Sequence, residues 1–122
     1  MCIRDSNMHG GNGDDRLIAG GYGNAQWGDA GDDVLLAGGS SNYQYGGKGN
    51  DFLGGVGAGN FQFGNAGNDI MMAAGIGNYQ DGGVGNDIMG AAAAGNVQLG
   101  GSGDDIMAAA APMISLPTPP SW

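Results

Sequence analysis

The sequence predicts an all-β fold: a parallel β-solenoid of about five 18-residue coils, with two short strands per coil. Three observations carry this. The chain repeats itself at a fixed period, glycines punctuate it at fixed places, and large apolar residues come one at a time between the glycines. Asp15, Asp33, Asp51, Asp69, Asp87 and Asp105 follow one another at intervals of 18 residues without a slip. Gly13, Gly31, Gly49, Gly67, Gly85 and Gly103 hold the same spacing. So do Asn24, Asn42, Asn60, Asn78 and Asn96, and Gln26, Gln44, Gln62, Gln80 and Gln98. Four ladders at one period are the mark of a stacked repeat, in which equivalent residues lie about 4.8 Å apart across a parallel sheet.

Each coil divides into two halves. The first reads GGNGDDRL, GGKGNDFL, GGVGNDIM or GGSGDDIM, and the second GGYGNAQW, GGSSNYQY or VGAGNFQF. Both are a glycine turn followed by a very short strand, because glycine takes the positive φ such a turn needs and strand side chains alternate between faces. One inward apolar residue per strand then suffices for a thin core shared by two facing sheets. Leu17, Leu35, Leu53, Met71, Met89 and Met107 are the expected inward residues of one sheet. Trp27, Tyr45, Phe63 and Leu99 are those expected of the other, with Asp81 breaking the series. This parity sends the Gln ladder outward, since an unsatisfied buried amide is costly.

Composition narrows the functional classes. Of 122 residues 29 are glycine, roughly three times the usual share, yet the glycines lack the every-third-residue spacing of collagen. The net charge is −9, all twelve acids are Asp, and only three residues are basic. Nucleic acid and anionic membranes are therefore poor partners and multivalent cations good ones. No apolar run is long enough to span a bilayer. A single histidine, His9, leaves histidine-based catalysis and zinc ligation almost nothing to use, and the chain reads as non-enzymatic.

The first-half motif resembles the nonapeptide G-G-x-G-x-D-x-U-x of the repeats-in-toxin (RTX) proteins, where U is a large apolar residue. The resemblance runs from about Gly10 to Ala108 and implies a calcium-loaded parallel β-roll. It also implies that the Asp side chain and backbone carbonyls of one turn bind Ca²⁺ jointly with the turn one coil away. The ligands would be Asp15, Asp33, Asp51, Asp69, Asp87 and Asp105, with carbonyls of Gly31, Gly49, Gly67, Gly85 and Gly103 and a secondary contribution from Asp14, Asp32 and Asp104. The chemistry agrees, because calcium takes six to eight hard oxygen ligands in a flexible cage. Carboxylates stacked 4.8 Å apart repel by ~1 kcal/mol per pair in water and ~3–4 kcal/mol at an effective dielectric of 20. Six Asp leave five gaps, so roughly five ions are expected along one edge. Bare turn formation, for which Asn would serve equally well, is the competing account of these Asp residues.

The second halves depart from the motif. Ala25, Tyr43, Phe61, Tyr79 and Val97 stand where the ligand Asp belongs, or, with the alignment shifted by one, Asn24, Asn42, Asn60, Asn78 and Asn96 do. Neither supplies a carboxylate. The expectation is a one-sided roll, with calcium on one edge and a hydrogen-bonded Asn ladder on the other. On the first sheet Val34, Phe52, Ile70, Ile88 and Ile106 form an outward apolar stripe, to be covered by neighbouring repeats or domains of a longer parent chain, or by self-association.

Residues 1–6, MCIRDS, match no repeat and read as an adapter scar; residues 7–111 are the repeats, and the Pro-rich 112–122 a linker or cap. The expected function is calcium binding by an extracellular, bacterial, secreted repeat domain, which the resemblance ties to type I secretion and to folding in the calcium-rich exterior. The alternatives are a metal-independent structural or adhesive spacer, and the accessory repeats of a secreted protease or lipase.

Overall fold

A computed structural model describes residues 2–3, 7–109 and 114–116 of the chain. Among these residues there are only strands, turns and bends. One sheet contains β1 (Cys2–Ile3), β3 (Arg16–Gly20), β5 (Val34–Gly38), β7 (Phe52–Val56), β9 (Ile70–Ala74), β11 (Ile88–Ala92) and β13 (Ile106–Ala109), stacked in that order. The facing sheet contains β2 (Asn7–Asn12), β4 (Ala25–Ala30), β6 (Tyr43–Lys48), β8 (Phe61–Ala66), β10 (Tyr79–Val84), β12 (Val97–Ser102) and β14 (Ile114–Leu116). Every pairing is parallel, and from β2 to β13 each residue pairs with the one 18 positions on, as in Leu35↔Leu53 and Gln44↔Gln62. The fold is therefore the expected parallel solenoid, with about six coils rather than five.

The two ends depart from the period. In β1, Cys2 pairs with Ile18, and in β14, Ile114 pairs with Val97. Each end strand thus continues a sheet off register. Parts of the leading hexapeptide and of the 112–122 tail lie outside the described residues.

The turns explain the glycines position by position. Gly21, Gly39, Gly57 and Gly75 occupy one column at φ between 109° and 126°. A Cβ on Gly39 or Gly57 would strike the backbone of the glycine one coil below. The fifth member of this column is Ala93, held at φ 79°. In the matching column of the other edge, Asp29 and Asn65 adopt φ 77° and 78°, which short polar side chains tolerate better than alanine does.

The core is thin and asymmetric. Leu35, Leu53, Met71 and Met89 are completely buried on the first sheet, each worth about 1.5–3 kcal/mol of apolar burial. The second sheet reverses the expected parity. Gln26, Gln44, Gln62, Gln80 and Gln98 point inward and are buried, while Trp27, Tyr45, Phe63 and Leu99 stand half-buried on the outer face. The expectation failed because the buried amide is not unsatisfied. Each Nε2 from Gln44 to Gln98 donates to the Oε1 one coil back, at 2.8–3.0 Å. Each also donates across the core to a carbonyl of the first sheet, such as Leu35 O from Gln44 at 2.8 Å and Met72 O from Gln62 at 3.2 Å. The amide column thus ties the two sheets together. Outside, His9, Trp27, Tyr45 and Phe63 stack nearly parallel, with ring centroids 4.5–5.5 Å apart. Asp81, puzzling as a core residue, takes its place in this outer column.

Two outcomes follow. Gln62→Ala strands Gln44 Oε1, deprives Gln80 of an acceptor and opens a void, and should cost about 2–4 kcal/mol in a denaturant melt. Ala93→Gly relieves the left-handed strain and should raise stability by about 1 kcal/mol in the same assay.

Candidate metal edge

The two edges of the solenoid are built alike and differ in one atom type. On the second edge Asn24, Asn42, Asn60, Asn78 and Asn96 are buried. The backbone N–H of each of the first four donates to the Oδ1 of the Asn one coil on, at 2.8–2.9 Å. Their Nδ2 groups donate to turn carbonyls, for example from Asn60 to Gly39 O at 3.1 Å and from Asn96 to Ala93 O at 2.8 Å. The amide supplies an acceptor toward one neighbour and a donor toward the other. The expected Asn ladder is present, and the alignment that sets Asn opposite Asp is the correct one.

On the first edge the Asp column occupies the equivalent place. Asp33, Asp51, Asp69 and Asp87 are at most 2 % exposed. Oδ1 repeats the Asn pattern: the N–H groups of Asp15, Asp33, Asp51, Asp69 and Asp87 donate to the Oδ1 one coil on, at 2.7–2.9 Å. Oδ2 stands where Asn carries its amide nitrogen, and a carboxylate has no proton to give. The Oδ2 atoms of Asp15, Asp33, Asp51, Asp69, Asp87 and Asp105 are all buried without a hydrogen-bond partner.

Glycine geometry shows what these oxygens face. A Cβ placed on Gly28 would touch both Asp33 Oδ2 and the carbonyl oxygen of Gly46. The same holds at Gly46 for Asp51 and Gly64 O, at Gly64 for Asp69 and Gly82 O, and at Gly82 for Asp87 and Gly100 O. At each of these glycines a carboxylate oxygen and a carbonyl oxygen crowd the same Cα–H, and no N–H or O–H donor reaches the Oδ2. On the Asn edge four of the five equivalent positions carry a buried alanine, Ala19, Ala37, Ala73 and Ala91, with Gly55 in the third coil, because no carboxylate oxygen claims that space. This glycine–alanine contrast was visible in the sequence and is the signal that sequence reasoning overlooked.

The remaining expected ligands are arranged differently. Asp14, Asp32 and Asp104 are exposed and turn away from the buried column. They share an outer ladder with Asn50, Asn68 and Asn86, in which each N–H bonds the side chain one coil back, as in Asp32 to Asp14 Oδ1 at 2.9 Å and Asn50 to Asp32 Oδ1 at 2.8 Å. Asn serves as well as Asp there. The carbonyls of Gly31, Gly49, Gly67 and Gly85 point at the glycine one coil on, whereas those beside Oδ2 belong to Gly46, Gly64, Gly82 and Gly100.

The donor set fits a hard cation: anionic and carbonyl oxygens, buried, with no competing donor. The acids form a line, one per coil. Among the described residues no group of three or more His, Cys, Asp or Glu converges into a cage, so the carboxylates need carbonyl oxygens to complete any coordination. Burial, only partly offset by the backbone N–H each accepts, raises the carboxyl pKa of Asp51 to about 6 and that of Asp69 to about 7. Asp33 and Asp87 shift upward for the same reason.

The sign of the pH effect follows. A pKa raised by folding adds stability below the unfolded value, near 4, and that stability is lost as pH rises through the folded value. In chelator, the denaturation midpoint should be highest near pH 4 and fall steadily to pH 7; a midpoint that rises over this range would contradict the buried Asp column.

Comparison with protein-family models, with curated proteins and with solved structures returned no match to this chain.

Proposed function

We propose that the chain is a calcium-binding repeat domain whose folding is coupled to cation uptake along the Asp edge. The observation that carries this reading is the column of buried, partnerless Oδ2 atoms facing glycine carbonyls. Unfolded, the carboxylates are hydrated and far apart. Stacked without a counterion, they repel by ~3–4 kcal/mol per neighbouring pair at an effective dielectric of 20, and each leaves a buried acceptor unsatisfied. Asp15, Asp33, Asp51, Asp69, Asp87 and Asp105 would hold Ca²⁺ in roughly five gaps with the carbonyls of the next coil. The ion would supply charge neutralisation and ligand oxygens would replace its water, so binding and folding share one free energy. The RTX-like spacing supports the same reading. On this reading the chain is a non-enzymatic repeat domain of a bacterial protein, exported unfolded and folding outside the cell where calcium is millimolar; the accessory repeats of a secreted protease or lipase are the alternative setting.

A second reading has its own support. The Asn ladder and the Gln ladder, apart from Gln98 Oε1 at its end, satisfy their hydrogen bonds without any ion, which favours a metal-independent structural or adhesive spacer.

Far-UV circular dichroism during a calcium titration at pH 7.5, with magnesium as control, separates the two. A coil-to-sheet transition driven by calcium and not by magnesium is expected. In Asp51→Asn/Asp69→Asn its amplitude should shrink, because the amides stack in chelator as the Asn edge does. Full sheet content in chelator at this pH would overturn the calcium reading and leave the spacer.

A further inference from the structure

The outer face of the first sheet has no role in the metal edge. Its first column is Arg16, Val34, Phe52, Ile70, Ile88 and Ile106. Ile70, Ile88 and Ile106 are 40 %, 44 % and 61 % exposed. From Val34 onward this column is an unbroken ridge of branched and aromatic side chains running along the solenoid axis. Beside it lies an open apolar groove of about 850 Å³, bordered by Leu36, Gly54, Met72, Ala74, Gly90 and Ala92. The groove opens where Gly54, Gly90, Ala74 and Ala92 interrupt the larger Leu36, Met72 and Val56 of the next columns, while the ridge column has no such gaps from Val34 onward.

We propose that this face binds a second copy of the chain, the ridge of each copy lying in the groove of the other. Three features select that occupant. First, ridge and groove run parallel and side by side, so a two-fold axis along the solenoid between them superposes each on its counterpart, as an isologous interface requires. Second, the chain carries −9, and no acid lies in β3, β5, β7, β9, β11 or β13. The Asp edge and, through Asp29 and Asp81, the aromatic face carry the negative charge, so this face is where two copies approach with least repulsion. Third, the size is adequate for a weak dimer. Six strands at about 4.8 Å and five residues at about 3.3 Å give a footprint of roughly 450 Å² per copy. The total of about 900 Å² lies below the roughly 1,200–2,000 Å² of a standard specific interface, in the range of weak, transient association.

The two-fold sets Ile88 of one copy against Ala92 of the other, in the same coil. The test is sedimentation equilibrium of the full chain from about 1 to 500 μM in saturating calcium. Cys2→Ser removes the only cysteine, and circular dichroism confirms folding of every variant. A reversible monomer–dimer equilibrium is expected. Ile88→Lys and Ala92→Asp should each weaken it at least tenfold, whereas Tyr43→Lys on the opposite sheet should leave it unchanged. Because both substitutions sit on an exposed face, a mixture of the Ile88→Lys and Ala92→Asp chains should recover dimer that neither forms alone. A chain monomeric at 500 μM, a dimer indifferent to these changes, or a mixture that stays monomeric would each overturn the proposal.

Discussion

In a solenoid wound at constant period, each residue meets the residues 18 positions away, most often of its own kind, one coil above and one coil below. This self-stacking at the spacing of a parallel sheet is the constraint on which the rest of the structure depends. A column is tolerated only if its side chain is compatible with itself along the axis. Apolar chains are, and Leu35, Leu53, Met71 and Met89 form the buried core in consequence. Aromatic rings are, and they stack face to face on the outside. Amides are, since each offers both a donor and an acceptor. A carboxylate is not, unless a proton or a cation intervenes.

That single incompatibility gives the two edges different characters on one backbone plan. The Asn edge closes its own hydrogen bonds. The Asp edge keeps the same Oδ1 bond and leaves Oδ2 without a donor, buried against a carbonyl oxygen. Burial accordingly raises the carboxyl pKa of Asp51 to about 6 and that of Asp69 to about 7. On the calcium-binding proposal, proton and cation would compete for the same oxygens, and uptake would be most favourable at neutral pH or above.

The inner Gln column has a further consequence for stability. A solenoid with two apolar inner faces would be held together by burial alone. Here one face is an amide ladder that bonds along the axis and across the core, so adjacent coils and opposite sheets are coupled through the same side chains. Such a network fixes register more tightly than interchangeable methyl groups do, because a slip of one residue would turn the row of amides outward and break both sets of bonds.

The period, the parallel two-sheet winding, the inward Leu/Met column and the membership of the Asp and Asn columns were all determined by the sequence alone. A repeat of 18 residues with glycine turns has few other ways to bury one large residue per strand. What the tertiary structure decided was the parity of the second sheet and the surroundings of the Asp side chains. Gln26–Trp27 and its equivalents allow either parity by alternation, and the choice rests on whether the inward amide finds partners. Those partners are carbonyls of the opposite sheet, nine or ten residues away in the chain and visible only once the two sheets face one another. Likewise, the sequence shows that Asp33 recurs, but only the stacked coils show that its Oδ2 is buried beside Gly28 and the Gly46 carbonyl without an N–H or O–H donor.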